Sequence, residues 1–200
     1  MEFVAALCAG LPVLLPTDTV YGLAARADEA GADAVYSLKG RGHDRPTALL
    51  AATVDDLVAA IPELDRDLLD ALLPGPYTLV LPNPARRFAW LAGETPDKLG
   101  VRVPELPAQA RAAVRAVGVV LATSANEPGG PNPVTLDDVP ARIRKGCAAE
   151  IDAGPLPGTA STVLDLTGPE PVVLREGAIP GSEALSTISA WRLRSRRLTS

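Results

Sequence analysis

The chain has 200 residues, 47% of them hydrophobic and 22% charged; these proportions exclude a disordered, collagen-like or coiled-coil chain. That length fits one domain, expected over residues 1–200 with neither linker nor internal repeat. A net charge of −5 argues against nucleic-acid binding through bulk electrostatics, while leaving room for a local basic cleft.

In chain order, Val13–Leu15 is a short apolar strand closed by Pro16. Asp28 caps a helix whose Val35 and Leu38 face the core, and Gly40 offers a left-handed C-cap. Ala48–Ala52 reads as a buried strand, and Thr53 caps the helix Val54–Ala60. A further helix covers about Leu64–Leu73 and must end at Pro74-Gly75-Pro76, because Pro cannot continue it. Thr78–Leu81 and Val101–Val103 are strands. Pro107 opens a helix to about Val117, with Gly118 beyond its end. Val119–Ala122 is a wholly apolar strand, and Thr135 caps a short helix at Leu136–Val139. Ile151, Ser161–Leu166 and Val172–Leu174 are late strands, and Gly181–Leu193 is a terminal helix. Strands and helices interleave throughout, which implies an α/β fold: one twisted mixed sheet flanked by helices. With aromatics at 4%, the core must be built from Ala, Val and Leu; 20 Pro and 17 Gly supply rigid turns.

Cys8 and Cys147 form no CxxC or disulfide framework and read as buried free thiols in a reducing compartment. The single histidine, His43, has no ligand partners nearby in sequence, so no metal site is expected. Met1–Gly10 carries an acid and no basic segment, unlike a signal peptide, and no apolar run approaches the ~20 residues that span a bilayer. A soluble, cytoplasmic protein with no membrane partner is expected.

Familiar catalytic signatures are absent: GxxxxGK[ST], GxGxxG, GxSxG and HExxH do not occur, and one histidine makes a Ser-His-Asp triad improbable. Polar stretches instead sit at strand ends, where open α/β sheets bind ligands. Pro16–Gly22 crowds two hydroxyls, a carboxylate and a phenol, which suits either a self-bonded turn or a substrate loop. Lys39-Gly40-Arg41, with Arg45 four residues on, suits either a helix C-terminus or a polyphosphate, held by an Arg fork and a Lys point charge. Arg102 lies in the apolar strand Val101–Pro104 and needs an anion, either an internal acid or a substrate carboxylate. Thr123–Asn126 follows the apolar strand with small and polar residues, and the Pro/Gly-rich stretch Glu127–Pro133 shapes what lies beside it. Ser161-Thr162-Val163 and Leu174–Ala178 add hydroxyls and Arg175.

In this order and spacing the stretches resemble the YrdC-like family of threonylcarbamoyl-AMP synthases in its short, single-domain form. The family pattern runs PT-[DE]-TVYGL, KxR, PGPxT, VRxP, SAN, ST and LRxG. It is matched at Pro16–Leu23, Lys39/Arg41, Pro74–Thr78, Val101–Pro104, Ser124–Asn126, Ser161/Thr162 and Leu174–Gly177. The resemblance implies an enzyme, a nucleotidyltransferase. It joins L-threonine, bicarbonate and ATP into threonylcarbamoyl-AMP with release of pyrophosphate. Downstream threonylcarbamoyl-transfer proteins then modify tRNA next to the anticodon. It further implies a concave basic cleft and Mg2+ accompanying ATP, for which no protein ligand can be named; Asp18 is a weak candidate.

By the same resemblance, Lys39, Arg41, Ser124 and Asn126 are the catalytic set, the first two on the ATP phosphates. Thr19, Arg102, Ala122 and Ser161 hold threonine, Arg102 pairing its carboxylate. Arg41, Arg45, Lys98, Ser124, Asn132 and Arg175 hold the nucleotide. No covalent nucleophile is needed, so catalysis would rest on positioning and charge stabilisation. Two departures stand out. Leu50 occupies a position where some relatives carry histidine near threonine, and the chain ends in a basic tail of about 192–200 with Arg192, Arg194, Arg196 and Arg197. The tail suits either solvent or a tRNA contact. The alternative to the synthase is a non-synthetic paralogue that binds nucleotide or RNA, double-stranded RNA included. A carbamoyl-phosphate-using relative would need acylphosphatase and zinc-finger modules that 200 residues with two cysteines cannot supply.

Overall fold

A computed structural model describes residues 2–198 of the chain, with side chains as far as Arg194. The elements run α1 (Phe3–Cys8), β1 (Val13–Pro16), β2 (Tyr21–Arg26), α2 (Glu29–Lys39), β3 (Ala48–Ala51), α3 (Val54–Ala60), α4 (Arg66–Leu72), β4 (Tyr77–Pro82), β5 (Lys98–Arg102), α5 (Ala108–Val117), β6 (Val119–Ser124), α6 (Ala141–Gly146), β7 (Ala149–Glu150), β8 (Thr162–Asp165), β9 (Val172–Arg175) and α7 (Gly181–Leu198). Single 3-10 turns lie at Ala89–Leu91 and Leu136–Asp138. The strands form one mixed sheet in the order β7-β1-β2-β6-β3-β5-β4-β8-β9.

Local chemistry sets most boundaries. The Asp28 carboxylate accepts from Gly31 N at 2.8 Å and starts α2, while Gly40 (φ 62°) ends it in the left-handed region. Thr53 and Asp65 cap α3 and α4 by accepting from Asp56 N and Leu68 N, each at 3.1 Å. Thr135 forms a capping box with Asp138. Gly177 packs against the backbone of Ala160–Thr162 so closely that any side chain would collide with it.

Several elements differ from the expectation. Strand β2 is not among the expected elements, only its first two residues falling in the polar stretch Pro16–Gly22; its residues Tyr21–Ala25 are all buried, so it lacks the alternation that marks a half-exposed strand. Short helices α1 and α6 were not expected, and β5 begins at Lys98 rather than Val101. The strand expected at Ile151 is instead Ala149–Glu150, paired in parallel with β1. Cys8 is exposed rather than buried, because α1 turns only Ala6 and Leu7 inward; Cys147 is half-buried, and burial pushes its thiol pKa up to about 12. His43 pairs with Asp33 at 3.0 Å and meets Tyr36 edge-on. No helix among the described residues is long and apolar enough to cross a membrane.

Helices cover the two faces unequally. One face carries Leu23, Leu49, Leu79, Val101 and Leu121 into a core with Val35 and Tyr36 of α2, Leu57 of α3, Leu69 and Leu72 of α4, Ile143 of α6 and Ala184 and Ile188 of α7. On the other face, Val13, Leu15, Ala24, Leu50 and Val120 pack under Ala6 and Leu7 of α1 and Ala110 and Val114 of α5. Few aromatics take part, so close approach of small side chains does the packing, as the composition implied.

Candidate functional site

That second face stays open beyond α1 and α5. Residues paired across strands share a face, so the register identifies what projects there. Val80 pairs with Gly100 and with Asp165; Thr78 pairs with Val163, and Val163 with Arg175. All of these, with Lys98 and Arg102, line a cleft of about 500 Å³. Ala48, Gly100 and Ala122 project little from the sheet, which leaves the cleft its depth. Three cations (Lys98, Arg102 and Arg175) and one carboxylate (Asp165) face it.

Arg102 is the most enclosed of the cations, its side chain only 12% exposed. The loop after β1 folds back onto the end of β5: Asp18 accepts from Glu105 N at 3.1 Å and pairs with Arg102 Nη2 at 3.1 Å. Thr19 Oγ1, fully buried, lies 3.3 Å from the same Nη2. Thr17 bonds both Thr19 Oγ1 and Val20 O, which fixes the loop. Arg102 Nε is buried with no hydrogen-bond partner, while Nη2 is engaged by Asp18 and Thr19. Burial and the like charge of Arg175 oppose the Arg102 cation, while Asp18 supports it. Burial raises the Asp18 pKa, although Arg102 counteracts this. Of the two anions considered for Arg102, the structure shows the internal acid, Asp18.

Arg175 donates to Ser161 O at 2.8 and 3.2 Å and to Ser161 Oγ at 3.2 Å, and that hydroxyl is 2.8 Å from Thr78 Oγ1. Lys98 Nζ pairs with Asp165 at 3.0 Å. Asn132 Nδ2 donates to Gly158 O at 3.2 Å, tying together two loops that border the cleft.

Eight of the expected residues line the cleft: Thr19, Lys98, Arg102, Ala122, Ser124, Asn132, Ser161 and Arg175. Lys39, Arg41, Arg45 and Asn126 do not. Arg41 stacks over Tyr36 at 4.8 Å and bonds the Thr47 hydroxyl and the Pro46 carbonyl, both at the cleft's edge; its Nε is buried without a partner. Arg45 is exposed, and its carbonyl accepts from Arg41. Leu50 is fully buried among Leu106, Ala110 and Val114, outside the cleft. Arg192 reaches Glu170 at 3.4 Å and Arg194 is exposed, while Arg196 and Arg197 lie outside the described side chains.

Thr47, Thr78 and Asp165 were not among the expected site residues. Asp165 and Thr78 were within reach of the sequence: Ser161, Val163 and Asp165 alternate along one strand, and Thr78 closes the PGPxT match. A second cleft of about 670 Å³ lies at the end of β5, lined by Thr17, Thr53 and Arg66 among others. Arg66 is paired there with Asp55 and Asp70, and Arg111 lines the same cleft.

Residues 5–177 match the family model Sua5/YciO/YrdC, described as telomere recombination. A Mycobacterium tuberculosis protein provisionally named threonylcarbamoyl-AMP synthase is 38% identical over 181 residues, 88% of this chain and 82% of its own length. The Bacillus subtilis threonylcarbamoyl-AMP synthase is 34% identical over 173 residues, 84% of this chain and 50% of its own. Among solved structures, Pyrococcus abyssi Sua5 complexed with L-threonine superposes with a TM-score of 0.81 at 31% identity. The match covers 92% of this chain and 56% of that one, so the chain spans little more than half of that protein.

Proposed function

The chain belongs to the Sua5/YciO/YrdC family, and we propose that it is an L-threonylcarbamoyladenylate synthase, a nucleotidyltransferase. Threonine's amine adds to bicarbonate with loss of water, giving a carbamate. A carbamate oxygen then attacks the α-phosphorus of ATP, and pyrophosphate leaves with the bridging electrons. The observation that carries this reading is Arg102, whose Nη2 meets Asp18 and the Thr19 hydroxyl and whose Nε is buried and unpartnered, within a cleft that two further cations line. A guanidinium with an unsatisfied N–H suits a further anion, and a substrate carboxylate is the one this reading assigns to it.

Threonine is assigned to Arg102 and Thr19, with Ala122 and Ser161 beside it. Lys98, Ser124, Asn132 and Arg175 are assigned to the nucleotide, and Arg41 and Arg45 to its approach from the cleft edge. Catalysis on these terms is positioning plus stabilisation of the charge on the leaving pyrophosphate. Mg2+ would arrive as the ATP complex, liganded by phosphate oxygens and water. The carboxylate facing the cleft, Asp165, is committed to Lys98 and Thr167, and no cluster of metal-binding side chains occurs among the described residues. The adenylate would pass to threonylcarbamoyl-transfer proteins acting on tRNA in the cytoplasm.

The test is pyrophosphate release from Mg-ATP with and without L-threonine and bicarbonate, with mass detection of the adenylate. Release that requires both substrates is expected. ATP binding without release would overturn the synthase and favour a nucleotide- or RNA-binding paralogue.

A further inference from the structure

Lys39 is the last residue of α2, and it carries a buried charge without a counter-ion: the side chain is 4% exposed, and none of the ion pairs among the described residues includes it. A lysine at a helix C-terminus commonly meets its own helix's last carbonyls. This one crosses to a distant segment. Its Nζ donates to Ser124 O at 2.6 Å, to Asn126 O at 2.7 Å and to Asn126 Oδ1 at 3.3 Å. An ammonium has three donors, and all three are used by oxygens of one turn. None is left for a phosphate.

The turn these bonds hold carries Ser124 into the cleft. It is tied further by Ala125 N to Tyr21 O at 2.9 Å, by Ser124 Oγ to Asn126 Oδ1 at 2.6 Å and by Asn126 Nδ2 to Gly130 O at 2.8 Å. Two backbone carbonyls aimed at one point would repel each other without a cation between them, so the ammonium holds together what the turn's own dipoles would open.

We propose that Lys39 is a positioning residue: its ammonium anchors the Ser124-Ala125-Asn126 turn in the shape that presents Ser124 to the cleft, without itself binding the triphosphate. The inference rests on the synthase reading for its effect on turnover, but not for its effect on the turn. Lysine suits the post because a tetrahedral ammonium fits three converging acceptors, whereas the planar fork of arginine does not.

The experiment compares the wild-type chain with Lys39→Met, Lys39→Arg and Asn126→Ala, the last removing one acceptor of the lysine together with the bonds to Ser124 Oγ and Gly130 O. Three quantities are read: Mg-ATP affinity by calorimetry, kcat for pyrophosphate release, and backbone amide exchange over residues 121–131. Both Lys39 variants should lower kcat at least tenfold while ATP affinity changes less than about threefold, and amide exchange in 121–131 should accelerate. Asn126→Ala should show the same pattern more weakly. A tenfold loss of ATP affinity in Lys39→Met that Lys39→Arg restores, with exchange unchanged, would make Lys39 a phosphate ligand and overturn the proposal. Should a Lys39 variant not fold, unchanged exchange in Asn126→Ala would overturn it as well. If the wild-type chain makes no adenylate, the synthase reading fails, while ATP affinity and exchange still decide the role of Lys39.

Discussion

Leu50 and Arg102 are partners across β3 and β5, so both side chains stand on the same face of the same sheet. Leu50 is wholly buried with Leu106, Ala110 and Val114, while Arg102 borders the open cleft. The backbone is equivalent at the two sites, and what differs is cover. Helix α5 packs over one half of the face, and among the described residues no helix lines the cleft on the other. The covered half is Val, Leu and Ala, because any unpartnered polar group there would lose its hydration. The uncovered half keeps Lys98, Thr78, Asp165 and Arg175, each bonded to a neighbour in a way that leaves the cleft open. An open cleft thus arises on an ordinary sheet where helix cover stops, and the adjoining covered half supplies rigidity.

The largest effect that tests this contrast is on the covered side. Leu50→Ala removes a fully buried side chain and should destabilise the fold by about 2–5 kcal/mol, measured by urea denaturation. The KM for threonine should barely move. A tenfold rise in KM with unchanged stability would place Leu50 in the site and erase the distinction between the halves.

Next in size is Arg102→Lys, which keeps a charge for Asp18 but loses the fork. The KM for threonine should rise at least about tenfold, equivalent to about 1.4 kcal/mol, with little change in stability. An unchanged KM would move the carboxylate site elsewhere in the cleft.

A further effect, spread over a pH range, concerns Lys39, whose pKa burial and then Arg41 lower to about 8. Below pH 8 both folded and unfolded chains hold this proton, and the buried charge opposes folding. Between pH 8 and the unfolded value of 10.5, the unfolded chain holds more protons, so stability rises with pH. Wild type should gain on Lys39→Met by on the order of 1 kcal/mol per pH unit across that window. A pH-independent difference would show that the lysine titrates in its ordinary range.

Signals that act within a few residues were legible beforehand. Asp28, Thr53 and Gly40 marked helix ends because capping bonds span only three or four residues. The apolar run Val119–Ala122 marked a central strand, and the ordered motifs marked the family and eight of the cleft's residues. Strand β2 escaped because burial on both sides removes the alternation by which a strand is recognised. Helix α1 escaped because six residues hold too little pattern.

The sequence by itself therefore determined the α/β class, most element boundaries, the family and the residue types able to meet carboxylate and phosphate. Only the tertiary structure decided which charges are spent. Asp18 and Arg102 meet across 84 residues, and Lys39 and the Ser124–Asn126 turn across 85 and 87. Those pairings depend on where the chain returns in space, which no local spacing encodes. They leave Arg102 with an unpartnered Nε and commit the Lys39 ammonium to the Ser124–Asn126 turn.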